Sequence, residues 1–395
     1  MLLAFSLKNF QSFRGSIEIS LEQNKNVPED GRSYFEPATK SRVSKALAVI
    51  GANASGKTTL IKSLAFINWF VKDSFNAQID SPIPISQYFT SSDQPSDFEV
   101  RFSLNNKEWK YCLSVDGKRV YSEALYCKET KSFSYIFQRK WDHETASYTV
   151  KQKKFGMSQK EAGKVRENAS LISTAVQYSV PIAEELYRSG FWTNVYVLGR
   201  HHIDDGQIIA ASSYYYDNEP DRKEMSRLLN SWDLGLHDVR IQKQTMTTEK
   251  GETIEIARPE AIHIIDGIEH SLPLFLESSG TQGAYLLLSK VIPALKSGGL
   301  VVIDELEADL HPMMLTPILD LFFSNESNPN NAQIIFTCHS IEILHLLHKS
   351  QVVLVEKDPY CVSDAWRLDS VKGLRADDNL YAKYMAGAYG AVPVL

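Results

Sequence analysis

Apolar positions follow two rhythms along this chain, and each change of rhythm marks an element. Segments 4–10 and 17–21 read as two strands around a turn at 11–16. The polar stretch 24–45, with Pro28, Gly31 and Pro37, reads as a loop. Next comes 46–50, a short continuous apolar run of strand character. The period then lengthens: in 59–71, Leu60, Leu64, Ile67 and Val71 recur at helical spacing. A proline-bearing connection follows at 79–97. Alternation returns in 98–104, 109–115, 120–126, 134–139 and 148–150, with turn residues Asn105-Asn106 and Asp116-Gly117 between segments. That pattern predicts an antiparallel meander.

Segment 157–178 reads as one helix, 182–189 as a second after Pro181, and 220–234 as a third. None sustains an a/d heptad, so no long coiled coil is encoded. Strands are expected at 239–244, 253–257 and 262–265, then an apolar helix at 284–295. The runs beginning at Leu300 and at Gln333 are both buried strands that end in polar pairs.

The chemistry gathers at the ends of these elements. Gly51-Ala52-Asn53-Ala54-Ser55-Gly56-Lys57-Thr58 reads G-x-x-x-x-G-K-T, between a strand and a helix. That context makes it a phosphate-binding loop rather than a glycine turn capping an ordinary helix. Glycines let backbone N–H groups wrap an anion without intruding side chains. The helix start at Thr58-Thr59 adds free N–H donors and its dipole. Lys57 would face the β- and γ-phosphates of ATP, and the Thr58 hydroxyl would face Mg²⁺. Asp304 and Glu305 end an apolar strand, where α/β sheets place ligands. They are either a strand meeting a polar loop or a Mg²⁺-holding aspartate followed by a general base. His339 ends the next buried strand, by chance or within reach of a γ-phosphate. Ser278-Ser279-Gly280 opens the 284–295 helix as an N-cap or an anion site. Arg200-His201-His202-Ile203-Asp204-Asp205 reads as a polar loop, with a divalent-metal site as the alternative.

Composition narrows the class. The chain has 395 residues, 43% of them apolar, enough for one large domain or two lobes. Its apolar runs are too short to span a bilayer, and the N-terminal stretch lacks a signal-peptide pattern. Four cysteines form no C-x-x-C pair, which points to a reducing, cytoplasmic setting. Net charge is −6, yet residues 101–166 hold 15 Lys/Arg against 7 Asp/Glu. That excess is either a solvated basic face or a surface for DNA or RNA.

The order of these motifs resembles the ABC/SMC-like ATPases: phosphate loop, long insertion, serine–glycine signature, Asp-Glu strand, strand ending in His. More narrowly, FSLKNFQSF, ESSGTQ, DELEADLHP, FTCHS and the ending YMAGAYGAVPVL resemble the OLD-type and related AAA-family ATP-binding proteins of bacterial anti-phage (abortive-infection) systems. The resemblance implies a Mg²⁺-dependent ATPase switch that dimerises through ATP and controls a separate effector, such as a nuclease. Catalysis would rest on Glu305, His339 and Lys57. Gly51, Asn53, Ala54, Ser55, Gly56, Lys57, Thr58 and Thr59 would hold the nucleotide, and Thr58 and Asp304 the metal. Ser278 and Gly280 would contact the nucleotide of a partner subunit. Glu277 and Ser279 depart from the usual leucine and glycine of that signature, and Gln87 is a weak match to the Mg²⁺-sensing glutamine. The insertion is too short for an SMC coiled coil, and the segment after His339 is too short for a nuclease domain. The expected organisation is an α/β ATPase head. It would comprise an N-terminal lobe with the meander (1–150), a helical insertion (151–237) and a C-terminal lobe (238–395). The other reading is a self-sufficient nucleic-acid-processing enzyme with its chemistry in the insertion.

Overall fold

The run Ala46–Ile50 is fully buried because it lies inside a six-stranded sheet with helices on both faces. The computed structural model describes residues 1–24, 27–197, 199–200, 203–247, 253–308, 310–375 and 378–392. Across that sheet the order is Phe191–Thr193, Leu300–Ile303, Gln333–Thr337, Ala46–Ile50, Val352–Lys357 and Ser363–Arg367. All neighbours are parallel except the last pair, an antiparallel hairpin. Residues along a strand alternate faces, and here both faces are apolar. Leu47, Val49, Val302, Ile335 and Val353 pack into one core with Leu60, Ile61 and Phe66 of the helix Lys57–Asp73. Ala48, Ile50, Val301, Ile303, Ile334 and Phe336 pack into a second core with Tyr285, Leu288 and Ile292 of the helix Ser279–Ser297. The Asp-Glu strand and the phosphate-loop strand are not neighbours, because the histidine strand Gln333–Thr337 runs between them.

The first core is closed by the meander. It forms a seven-stranded antiparallel sheet ordered Ser147–Gln152, Ser134–Asp142, Val120–Lys128, Lys107–Val115, Ser96–Leu104, Leu2–Lys8 and Ile17–Ser20. Its alternation supplies Phe5, Leu7, Phe98, Tyr111, Leu113, Leu125 and Phe137 to the interior. Glu123 and Arg139, both fully buried, lie 3.7 Å apart on adjacent strands. Arg139 donates to the carbonyls of Val165, Arg166 and Ala169, while Glu123 accepts from Tyr111, Ser170 and Leu171. A buried charge must be paired and hydrogen-bonded, and this network fastens the chain after the meander to the sheet.

Several expectations need correction. The stretch read as a loop at 24–45 contributes Ser33–Glu36 and Ser41–Ser44 to a small three-stranded sheet with Glu22–Gln23; strands this short show no period. The single helix expected at 157–178 is two short ones, Gln159–Ala162 and Leu171–Val176. The first ends at Gly163, and Ser158 and Ser170 cap them. The insertion is not purely helical, since Phe191–Thr193 joins the parallel sheet as its edge. It also holds a helix, Asp205–Asp217, that the sequence reading missed. Ile208, Ala211, Ser212 and Tyr215 are its buried face, a helical spacing hidden by serine and tyrosine. The two strands expected within 253–265 are one, Thr253–Ile265, in a sheet with Asp238–Thr247 and Ile268–Pro273. Among the described residues no helix is long and apolar enough to cross a membrane, and the longest, Ser279–Ser297, has 19 residues.

Candidate functional site

The strand register delivers the site. With the strands parallel and in register, Asp304, Cys338-His339 and Gly51 all follow the carboxyl ends of neighbouring strands. The loop between Ile50 and Lys57 is tightly constrained. A Cβ on Gly51 would sit 2.1 Å from the Val355 carbonyl oxygen. Gly56 has φ +117°, a region that L side chains rarely adopt, and a Cβ there would lie 2.6 Å from Ser363 Oγ. Ala54 is also left-handed, at φ 59°. Ser363 Oγ donates to the Ser55 carbonyl (2.6 Å), tying the loop to the sheet's antiparallel edge. Ser55 Oγ is buried and has no hydrogen-bond partner among the described residues.

Lys57 is buried, and its ammonium donates to the carbonyls of Gly51 (2.9 Å) and Ala52 (3.0 Å). Burial pushes its pKa down, while Asp304, Glu305 and Glu307 pull the other way. Thr58 Oγ1 lies 3.0 Å from both carboxylate oxygens of Asp304. Thr337 Oγ1 donates to Asp304 Oδ1 (2.6 Å) and accepts from the Glu305 N–H (2.7 Å). Asp304 is 3% exposed, so each of these bonds offsets part of the desolvation of its charge. Glu305 sits at φ 52°, a strained position for a residue with a Cβ, and turns outward. Its Oε1 lies 3.6 Å from His339 Nε2, with the two side chains 41% and 40% exposed. The His339 N–H donates to Glu307.

The structure thus brings Gly51, Lys57, Thr58, Asp304, Glu305 and His339 together. The residues fit a nucleotide and a hard cation. Two positions leave no room for a Cβ, a buried hydroxyl on Ser55 awaits a partner, and Thr58 and Asp304 juxtapose oxygen donors. Asn53, Ala54 and Thr59 line the same loop and helix start, and Thr59 Oγ1 donates to Gln11 Oε1 (3.2 Å). Ser278 and Gly280 stand apart. The Ser278 hydroxyl caps the helix Ser279–Ser297 by accepting from Thr281 N–H (3.2 Å), and Ser278 is exposed. No hydrogen bond among the described residues joins 278–280 to the phosphate loop of the same chain.

Sequence reading missed several members. Asn194 clamps the Asp304 backbone from both sides: its Oδ1 accepts from Asp304 N–H (2.7 Å) and its Nδ2 donates to Asp304 O (3.0 Å). Thr337, Gln11, Ser12 and Ser363 also reach the site. Only Thr337 had a local signal, two residues before the histidine. Gln87 lies beside this group: Gln11 N–H donates to the Ser86 carbonyl (2.9 Å), and Gln87 Nε2 is buried with no hydrogen-bond partner among the described residues.

Two other candidates look different in the structure. Asp204 caps the helix Asp205–Asp217 by accepting from Gln207 N–H (2.8 Å), whereas His201 and His202 lie outside the described residues. Among the described residues no group of His, Cys, Asp and Glu could hold a metal ion by itself. In the basic stretch, eight of the 15 cations are committed. Arg101, Lys107, Lys110, Arg119, Lys128, Arg139 and Lys154 pair with carboxylates, and Arg166 donates to three backbone carbonyls.

Residues 47–345 match the sequence model of a family described as "AAA domain, putative AbiEii toxin, Type IV TA system". Among solved structures, the SMC head domain from Thermotoga maritima is similar, at 12% identity and a TM-score of 0.44 over 93% of this chain and 98% of that one. An SmcHead bound to the C-winged helix domain of ScpA is also similar, at 12% identity and a TM-score of 0.48 over the same shares. No curated protein matches the chain.

Proposed function

The chain belongs to this AAA-domain family, and from that premise we propose that it is an ATP-hydrolysing switch whose ATP-bound form pairs two copies and signals to a separate effector. The observation that carries the reading is the convergence of Lys57, Thr58 and Asp304, with Glu305 and His339 beside them. In this proposal the loop N–H groups and Lys57 hold the phosphates. Thr58 and Asp304 hold Mg²⁺, which when bound neutralises phosphate charge. Glu305 takes the proton of the attacking water. His339 donates toward the terminal phosphate, and Thr337 and Asn194 hold Asp304 and the Glu305 backbone in place. Ser278 and Gly280 serve the nucleotide of the second copy, because the terminal phosphate can bridge two surfaces before hydrolysis and not after.

The family description names a toxin of a type IV toxin–antitoxin system. We extend that to defence: an effector, such as a nuclease, carries the output. The test is the mass of the Glu305→Gln chain by light scattering, with and without ATP and Mg²⁺, beside Lys57→Ala. Glu305→Gln is expected to double in mass with ATP, and Lys57→Ala to lose nucleotide binding. An ATP-saturated Glu305→Gln chain that stays monomeric across concentrations would sink the in-trans role of Ser278.

A further inference from the structure

We propose that His263 is the positioning residue of the Ser278–Gly280 turn, holding it through Glu277 in the geometry that a second copy engages. The proposal rests on the reading that this turn works in trans. His263 lies on the strand Thr253–Ile265, in a different sheet from the nucleotide site. Its Nε2 is 2.7 Å from Glu277 Oε1, and its Nδ1 is 2.9 Å from the Gly235 carbonyl oxygen. Both facing atoms are acceptors. A ring nitrogen meets an acceptor well only as N–H, so both contacts are satisfied at once only by the imidazolium. The neutral ring must give up one of them.

Glu277 is the residue immediately before Ser278, and its side chain is only 10% exposed. Two clamps act on this turn. Gln282, one turn into the following helix, donates from Nε2 to the carbonyls of Phe275 (3.1 Å) and Glu277 (2.9 Å). That clamp is neutral and independent of pH. The second is His263, which fixes the Glu277 side chain to the neighbouring sheet and depends on a proton. Together they set the position of the exposed Ser278 and the half-buried Gly280. The departure of Glu277 from a leucine-type signature thereby acquires a physical role: the carboxylate anchors the turn by a charge-assisted bond where an apolar side chain would anchor it by packing.

The groups facing the imidazole are few. Glu277 comes from the turn, and the Gly235 carbonyl from the loop before Asp238–Thr247. His270 is its cross-strand partner on Ile268–Pro273, and His237 donates its backbone N–H to the adjacent Ile262. The Glu277 hydrogen bond raises the His263 pKa above the ordinary 6.5, against a smaller opposing effect of burial. A raised histidine pKa means that the clamp is complete below 6.5 and is lost as pH climbs through the raised value.

The experiment uses the full chain in two measurements. Hydrogen exchange of the amides from 274 to 283, corrected for intrinsic rates, reads the clamp itself in the monomer. Light scattering of the Glu305→Gln chain with ATP and Mg²⁺, from pH 6 to 8.5, reads its consequence. We expect His263→Gln to deprotect the turn and weaken ATP-dependent dimerisation about tenfold at pH 6.5, the order of one charge-assisted hydrogen bond. Its pH profile should be flatter than that of the parent. Glu277→Gln should flatten the profile as well, which His237 or His270 alone could not explain. His263→Arg, a permanent cation with several donors, should restore the dimer and remove the pH dependence. Unchanged exchange in His263→Gln overturns the clamp. Changed exchange with an unaffected dimer overturns its role in assembly. A parent that never dimerises overturns the in-trans reading, and the exchange data then report the clamp alone.

Discussion

Asn194→Ala is the perturbation that most directly tests how the site is held. Asn194 follows the edge strand Phe191–Thr193 and makes two bonds to the Asp304 backbone, 2.7 and 3.0 Å long. Each such bond has a net worth of about 0.5–1.5 kcal/mol, so losing both costs about 1–3 kcal/mol. The upper half of that range is the better expectation. Asp304 is 3% exposed, so its N–H and C=O cannot freely turn to water. The cost also has an address. Asp304 keeps its bonds to Thr58 and Thr337 while the backbone that aims it loosens. Nucleotide binding by the glycine loop and Lys57 should therefore survive within about threefold, whereas turnover falls about tenfold, equivalent to roughly 1.4 kcal/mol of barrier. Urea unfolding measures the first quantity, titration with a fluorescent ATP analogue the second, and phosphate release the third. If ATP affinity collapses in step with turnover, Asn194 acts on the loop and not on Asp304. If neither the unfolding midpoint nor turnover moves, the clamp has no energetic role.

Glu108 is 1% exposed and accepts from Arg101 (2.7 Å) and Lys128 (2.7 Å). Burial alone would raise its pKa, but the bonds from Lys128 and Arg101 outweigh it and hold the carboxyl below its ordinary 4.5. A depressed carboxylate stabilises the fold above 4.5 and stops doing so as pH falls through the lowered value. Glu108→Gln should thus lose about 1–3 kcal/mol at pH 7, with the gap to wild type closing below pH 4 in urea unfolding; a gap that widens in acid would refute the assignment. At the end of the meander, Lys151 and Lys153 are the cations to test for a polyanion surface. Reversing their charge should weaken binding of a DNA or RNA oligonucleotide, more at low salt than at high. Identical affinities at low salt would mean that the face is only solvated.

How much of this was legible in the sequence depended on chain distance. The glycine loop and its lysine are contiguous, and Asp304-Glu305 and His339 each end an apolar run, so local pattern located them. Asn194 lies 110 residues from the carboxylate it holds and follows a strand of three residues, too short to carry a period. Gln11 and Ser363 reach the loop from turns and edges whose role exists only after the sheet is assembled. The 205–217 helix escaped because its buried face uses Ser212 and Tyr215, whose hydroxyl groups blur hydropathy. The His263–Glu277 pair was invisible for the same reason as Asn194: a strand and a turn meet through tertiary structure, and the departure at Glu277 does not by itself point to His263.

The site is unevenly finished, and that unevenness is the physical argument for a second surface. The half that would hold phosphate and cation is buried and cross-braced: Lys57 and Asp304 are 6% and 3% exposed, with Thr58, Thr337 and Asn194 around them. The half that would handle the proton, Glu305 and His339, is about 40% open on each side chain. A carboxylate and an imidazole in that setting are screened by water, and their electrostatic effect on a reacting group is weak. Covering them raises it without changing their positions. Ser278, exposed at a helix start, caps that helix through its hydroxyl, and no hydrogen bond among the described residues joins it to the phosphate loop of its own chain. An open proton-handling pair and an outward-facing helix start are complementary needs. Pairing two copies head to head would meet both, which makes turnover a property of the assembled state and gives the protein its proposed character as a switch.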